Sequence, residues 1–132
     1  RQGIKAARFV VSKLAERGHA VTLVDSMAYE LPMLDKMFKE YAGGDAPPDM
    51  QAIADILTAA DGFVVVSGEY NHSVPAALKN LLDHFQKEYL YKPSAIVTYS
   101  AGPFGGVRAL VNLRAILAEL GASSIRDARN AK

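Results

Sequence analysis

Gly62-Phe63-Val64-Val65-Val66-Ser67-Gly68-Glu69-Tyr70-Asn71-His72-Ser73-Val74-Pro75 is the stretch that decides the fold. Phe63–Val66 is a short run with no polar face, introduced by a glycine and closed by a polar turn. A strand of that kind is covered on both sides, which is the mark of a parallel sheet between helices. Beyond the turn, Ser73 as N-cap and Pro75 as an early helical residue predict a helix. Leu78, Leu81, Leu82 and Phe85 supply its buried face.

The same alternation continues outward. Upstream, Pro47-Pro48-Asp49 opens a helix whose buried face is Met50, Ile53, Leu57 and Ala60. Before it, residues 33–42 are expected to form a short helix broken by Gly43-Gly44-Asp45, and Ala20–Val24 a β-branched strand closed by Asp25-Ser26. Ile4, Ala7, Val11 and Leu14 recur at helical spacing, and Gly18 caps that helix. Downstream, Lys92-Pro93 precedes a strand at Ala95–Tyr99, then a glycine-rich loop and the helix expected to be longest. That helix buries Leu110, Leu113, Ile116, Leu117 and Leu120 and stops at Gly121, before a last short strand over 122–125.

Strands alternating with helices give an α/β fold, a three-layer doubly wound parallel sheet with right-handed crossovers. The chain opens on a helix, so the first, central strand and the loop that follows it are expected to lie outside this sequence. Residues 126–132 fit poorly after the last strand, and a further stretch is expected to be missing there.

Composition narrows the function. The 132 residues match one domain, since domains run to about 150 residues. With 50% hydrophobic and 22% charged residues the chain is neither disordered nor low-complexity. No cysteine is present, which excludes thiol catalysis, disulfides and cysteine-ligated metal within these residues. A net charge of +1 is no footprint for nucleic acid or anionic lipid. No apolar run approaches the ~20 residues of a membrane span, and residues 1–20 lack the apolar block of a signal peptide. A cytoplasmic protein is expected.

In an open α/β sheet, ligands bind beyond the carboxyl ends of the strands. Three segments lie there. Arg1-Gln2-Gly3 stands at a helix N-terminus, where free N–H groups and the helix dipole favour an anion such as phosphate; a plain solvated helix start is the alternative. Glu69-Tyr70-Asn71-His72-Ser73 crowds polar and planar side chains into one turn, more than capping by Ser73 requires, although an ordinary turn also satisfies the pattern. Ser100-Ala101-Gly102-Pro103-Phe104-Gly105-Gly106 carries three glycines in five residues, leaving main-chain N–H groups free to face a polar ring edge; a flexible connection is the alternative. Its glycine spacing is not that of a dinucleotide fingerprint.

Other residues carry less. His19 is expected at the surface and His84 in packing, and three scattered histidines form no metal site. Ser100 lacks a Gly-x-Ser-x-Gly elbow and a histidine base, which argues against a hydrolase. Arg108 and Arg114 are expected in solvent or at a subunit contact.

Glu69-Tyr70-Asn71-His72-Ser73-Val74-Pro75, followed by Leu78-Lys79-Asn80 and Asp83, resembles the first signature of the NADPH-dependent FMN reductase family. Lys92-Pro93, Ser100, Gly102, Gly105-Gly106, Arg108-Ala109, Leu113-Arg114 and Leu120-Gly121 resemble its second, in order and at matching spacing. The resemblance implies a flavodoxin-like fold of strand order 2-1-3-4-5, bound FMN, and NAD(P)H as co-substrate. It also implies a homodimer or homotetramer, and a flavin, quinone, azo dye or metal oxyanion as acceptor. Arg1, Gln2 and Gly3 become the tail of the FMN-phosphate loop. Glu69, Tyr70, Asn71, His72 and Ser73 line one edge of the isoalloxazine, and Ser100, Ala101, Gly102, Phe104, Gly105 and Gly106 the other. Three departures stand out: Gly68 replaces a usual proline, His72 stands where a small residue is common, and the Gly-Ser-x-Arg segment that grips the phosphate in the family does not occur in this sequence.

The resemblance further implies a ping-pong exchange in which the flavin carries hydride from NAD(P)H to the acceptor, with no catalytic side chain and no metal. Three rivals remain: a flavodoxin-type electron carrier, a receiver-type signalling domain, and a flavin-free scaffold. Carriers tend to be strongly acidic, and a receiver needs an aspartate where Ser67-Gly68-Glu69 stands.

Overall fold

The computed structural model describes residues 2–124. Helix α1 (Gln2–Ala15) comes first; from α2 (Pro48–Ala59) onward helices and strands alternate, through β1 (Phe63–Gly68), α3 (Ala76–Asp83), β2 (Pro93–Tyr99), α4 (Val107–Glu119) and β3 (Ser123–Ser124). The sheet is parallel throughout in the order β1-β2-β3, with Phe63 opposite Ser94 and Gly68 opposite Tyr99.

Side-chain alternation along the strands sorts the helices into layers. Phe63 and Val65 of β1 and Ile96 of β2 face the main core. There they meet Met50, Ile53 and Leu57 of α2, Leu82 and Phe85 at α3, and Leu113 and Leu117 of α4. The intervening residues of β2 point the other way, and among them Tyr99 reaches the first turn of α1 at Gly3. Helix α1 thus lies on the second face, where, among the described residues, Val64 and Val97 stay more than one third exposed.

Tyr89 and His84 carry polar groups into the interior, as do Ser67 and Ser94. Burial, reinforced by the carboxylates of Glu88 and Asp83, pushes the Tyr89 phenol well above the usual tyrosine range. Its hydroxyl has no hydrogen-bond partner among the described residues. His84 is fully buried, with Nδ1 2.7 Å from the Asn80 carbonyl, in keeping with a packing role. His19 is exposed.

Local expectations fail in four places. Ala20–Val24 forms no strand: among the described residues no segment pairs with the outer edge of β1, and a β-branched run without a ladder partner has nothing to hold it extended. Val24 packs against the core all the same. Residues 33–42 yield one 3₁₀ turn, Phe38–Glu40, because the Phe38 N–H is drawn to the His84 carbonyl and Glu40 folds back to accept the Met37 N–H. Helix α3 is capped at Pro75 and not at Ser73, whose hydroxyl is engaged elsewhere. And α1, at 14 residues, exceeds α4 at 13. Position 125 and residues 126–132 lie outside the described residues, as does Arg1.

Candidate functional site

Both predicted loops leave the carboxyl ends of adjacent parallel strands, so the sheet itself brings them together. Leaving β1, the chain passes Glu69 and turns back at Asn71-His72. Tyr70 and Ser73 exchange two backbone hydrogen bonds, 3.0 and 2.9 Å, across these two residues. Asn71 and His72 have φ of 47° and 64°, so this is a two-residue turn of the primed kind, which favours glycine. Asparagine tolerates that backbone; histidine in the left-handed region costs about 1 kcal/mol. Tyr70 itself stands 68% exposed beside the turn.

The second loop ends at Gly105 and Gly106, with φ of 60° and 81°. Gly106 is fixed by its surroundings: a Cβ there would stand 2.9 Å from the Thr98 Cβ and 3.0 Å from the Tyr99 carbonyl oxygen. Gly102 and Gly105 have no atom within 4 Å of where a Cβ would be. The Ser100 hydroxyl donates to the Gly102 carbonyl at 2.9 Å and shapes the loop rather than acting as a free nucleophile. Phe104 is 65% exposed.

Glu69 joins the two. Its Oε2 accepts from the backbone N–H groups of Arg108 at 2.9 Å and Ala109 at 3.3 Å, capping α4, whose N-cap residue is a glycine with no side chain to do so. Its Oε1 lies 3.7 Å from the Arg108 guanidinium. That guanidinium also lies 5.4 Å from the centre of the Phe104 ring, within cation–π range. Arg108 is solvent-exposed, one of the two expectations for it, and in addition links the two loops. Asn112, one turn further along α4, donates to the Ser73 hydroxyl at 3.1 Å and the His72 carbonyl at 3.4 Å. Neither partnership has a sequence signal, since each spans about 40 residues of chain.

The third segment is close by. A Cβ on Gly3 would stand 2.6 Å from the Tyr99 hydroxyl, and one on Gly68 would stand 3.1 Å from it. Glycine at both positions lets this phenol lie between the mouth of β1 and the start of α1. Gln2 and Gly3 form that first turn, where unpaired N–H groups suit an anion. Sequence reasoning missed Tyr99, because a tyrosine ending a strand has no pattern of its own.

Comparison with known proteins bears on the site. The family model for NADPH-dependent FMN reductases matches residues 1–131. The chain belongs to the NADPH-dependent FMN reductase family. It is 36% identical over 114 residues to a quinone reductase of Escherichia coli K12, covering 83% of this chain and 59% of that one. It is 33% identical over 120 residues to an NADPH azoreductase of Bacillus sp. OY1-2, covering 88% and 64%. Among solved structures, FerB, a flavoenzyme NAD(P)H:(acceptor) oxidoreductase of Paracoccus denitrificans, superposes with a TM-score of 0.64 at 25% identity. The alignment covers 76% of this chain and 56% of FerB. The present chain therefore spans roughly three fifths of the length of these relatives. The α/β fold with its parallel sheet is that of flavodoxin-like neighbours; three strands are described, and the order 2-1-3-4-5 is not visible in them.

FMN is the cofactor of this family and NAD(P)H its electron donor. The residues present fit such a group. Two exposed aromatic rings stand at the two loops, glycine at 102 and 105 keeps the second loop clear of side chains, and among the described residues the N–H groups of Gly102, Phe104 and Gly105 donate to no other backbone group.

Proposed function

We propose that the protein containing this chain is an FMN-dependent oxidoreductase that takes hydride from NAD(P)H. In this proposal the electrons pass to a small-molecule acceptor of the quinone, flavin, azo or metal-oxyanion class. One observation carries the reading: Glu69 and Arg108 couple the Tyr70 turn to the Phe104 loop, linking two loops that each carry an exposed aromatic ring. Quinone and azo compounds are favoured as acceptors because they name two of the relatives.

When bound, FMN supplies the ring that accepts hydride and passes electrons on. Everything else is positioning by the chain. Tyr70 and Phe104 offer flat apolar surface, and Asn71, His72 and Ser73 border the same edge. Backbone N–H groups of the loop running from Ser100 and Ala101 through Gly102 to Gly105 and Gly106 favour negative charge on a ring edge placed against them. Arg1, Gln2 and Gly3 receive the phosphate at the positive end of α1. No side chain is assigned a proton-transfer role, in keeping with a 100–106 loop rich in glycine and without titratable groups. The strand order 2-1-3-4-5, a single domain over 1–132, a homodimer or homotetramer and a cytoplasmic location belong to the same proposal and rest on family membership. Among the described residues, no helix is long and apolar enough to cross a membrane.

The test is a visible absorption spectrum of the purified full-length protein with FMN, taken before and after anaerobic NADPH. Oxidised-flavin bands that bleach, and return on adding a quinone, are the expected result. Failure to retain FMN would sink the assignment.

A further inference from the structure

We infer that Asn112 is a positioning residue for the flavin edge, holding the Asn71-His72 turn in its strained backbone; this rests on the oxidoreductase reading above. The turn has no glycine, yet two successive residues take positive φ. Backbone in that state persists only where its surroundings over-determine it, and such positions cluster at functional sites. The two reciprocal bonds between Tyr70 and Ser73 close the turn but do not fix its place on the molecule. Helix α4 does that from both sides. On the entry side, the Arg108 and Ala109 N–H groups hold the Glu69 carboxylate. On the exit side, Asn112 Nδ2 donates to Ser73 Oγ and to the His72 carbonyl. Asn112 lies four positions after Arg108, so the two anchors lie about one helical turn, roughly 5.4 Å, apart on one face.

The chemistry selects an amide at position 112. A carbonyl oxygen only accepts, so the group facing His72 must donate, and the second proton of the same nitrogen remains for Ser73. Aspartate has the same shape and no donor, and its charge would repel the His72 carbonyl. Without the clamp, the turn is free to relax toward negative φ, which shifts Tyr70 and His72 relative to Phe104. Asn112 acts through the turn and touches no reacting group.

The experiment compares wild type with Asn112→Asp and with the amide-retaining Asn112→Gln, using the full-length protein. Three quantities are read: FMN dissociation constant, visible circular dichroism of bound FMN, and hydrogen exchange at the Ser73 N–H in flavin-free protein. For Asn112→Asp we expect about fivefold to tenfold weaker FMN binding, as for loss of a net hydrogen bond. A diminished visible dichroism band and faster Ser73 exchange should accompany it, with exchange in the core of β2 unchanged. Asn112→Gln should recover part of each. Wild-type binding and dichroism in Asn112→Asp, whatever its exchange rate, would overturn the inference and leave the oxidoreductase reading standing. A wild-type protein that takes up no FMN would overturn that reading, and this inference with it.

Discussion

The Glu69 carboxylate meets Arg108 twice, accepting its backbone N–H at 2.9 Å with one oxygen and facing its guanidinium at 3.7 Å with the other. The side chain of Glu69 is 10% exposed and that of Arg108 44%, so the carboxylate is sheltered while the guanidinium stays at the solvent edge. The two N–H bonds therefore carry most of the contact. One carboxylate thereby caps a helix, pairs an arginine and links two loops.

Replacing Glu69 should therefore register first in stability. Glu69→Ala is expected to cost about 1–2 kcal/mol, the range for losing a charged helix cap. Glu69→Gln, which keeps an acceptor oxygen, should cost less than half as much. Urea unfolding of both variants checks this, and an alanine variant as stable as wild type would contradict the capping role.

Gly105 and Gly106 both have left-handed backbone but differ in surroundings. Gly105→Ala should cost about 1 kcal/mol, the strain of the backbone alone. Gly106→Ala adds a clash with Thr98 and the Tyr99 carbonyl, and is expected to lose at least about 1 kcal/mol more. Thermal melts of the two variants side by side give the difference.

Tyr89 sets an alkaline limit. Its folded-state pKa lies above the unfolded value of about 10, so the folded state keeps its proton where the unfolded chain has lost it. Its contribution is complete below pH ~10 and declines as pH rises beyond, by up to about 1.4 kcal/mol per unit. Tyr89→Phe removes a hydroxyl with no partner among the described residues, so it should be neutral or stabilising at pH 7 and flatten that decline. Unfolding free energies from pH 8 to 11 measure it; an unchanged slope counts against a buried, protonated phenol.

Gly3 and Tyr99 should be coupled. Gly3→Ala brings a methyl against the Tyr99 hydroxyl, whereas the next ring atom is 3.6 Å away. Alone it is expected to be destabilising despite the better helix propensity of alanine, and in a Tyr99→Phe background it should become neutral or stabilising by up to about 1 kcal/mol. A double-mutant cycle with zero interaction energy would exclude the contact.

Much of this molecule is legible from local pattern. Phe63–Val66, the Pro47-Pro48-Asp49 start and the Gly121 stop are read correctly because each depends on residues within a few positions of itself. Ala20–Val24 misleads for the opposite reason: propensity is satisfied, but a strand is a relation between two segments. Ser73 has cap chemistry, yet Asn112 claims its hydroxyl from another helix. In the family signature, Asn80 accepts from the Leu34 N–H and donates to the Pro32 carbonyl, a loop-bracing role that spacing alone does not disclose.

By itself, then, the sequence determined the class of fold, the opening helix, the alternation of helices and strands from Pro48 onward, and which loops stand at the carboxyl ends of β1 and β2. Periodicity, capping and backbone freedom act over a turn of helix or a few residues of strand, and their signals are written contiguously. Tertiary structure alone decided that Glu69 would cap α4, that Arg108 would bridge two loops, and that Asn112 and Tyr99 belong beside the site. Those are meetings of side chains about 30 to 100 positions apart, created when neighbouring parallel strands bring their ends together, and no local pattern encodes them.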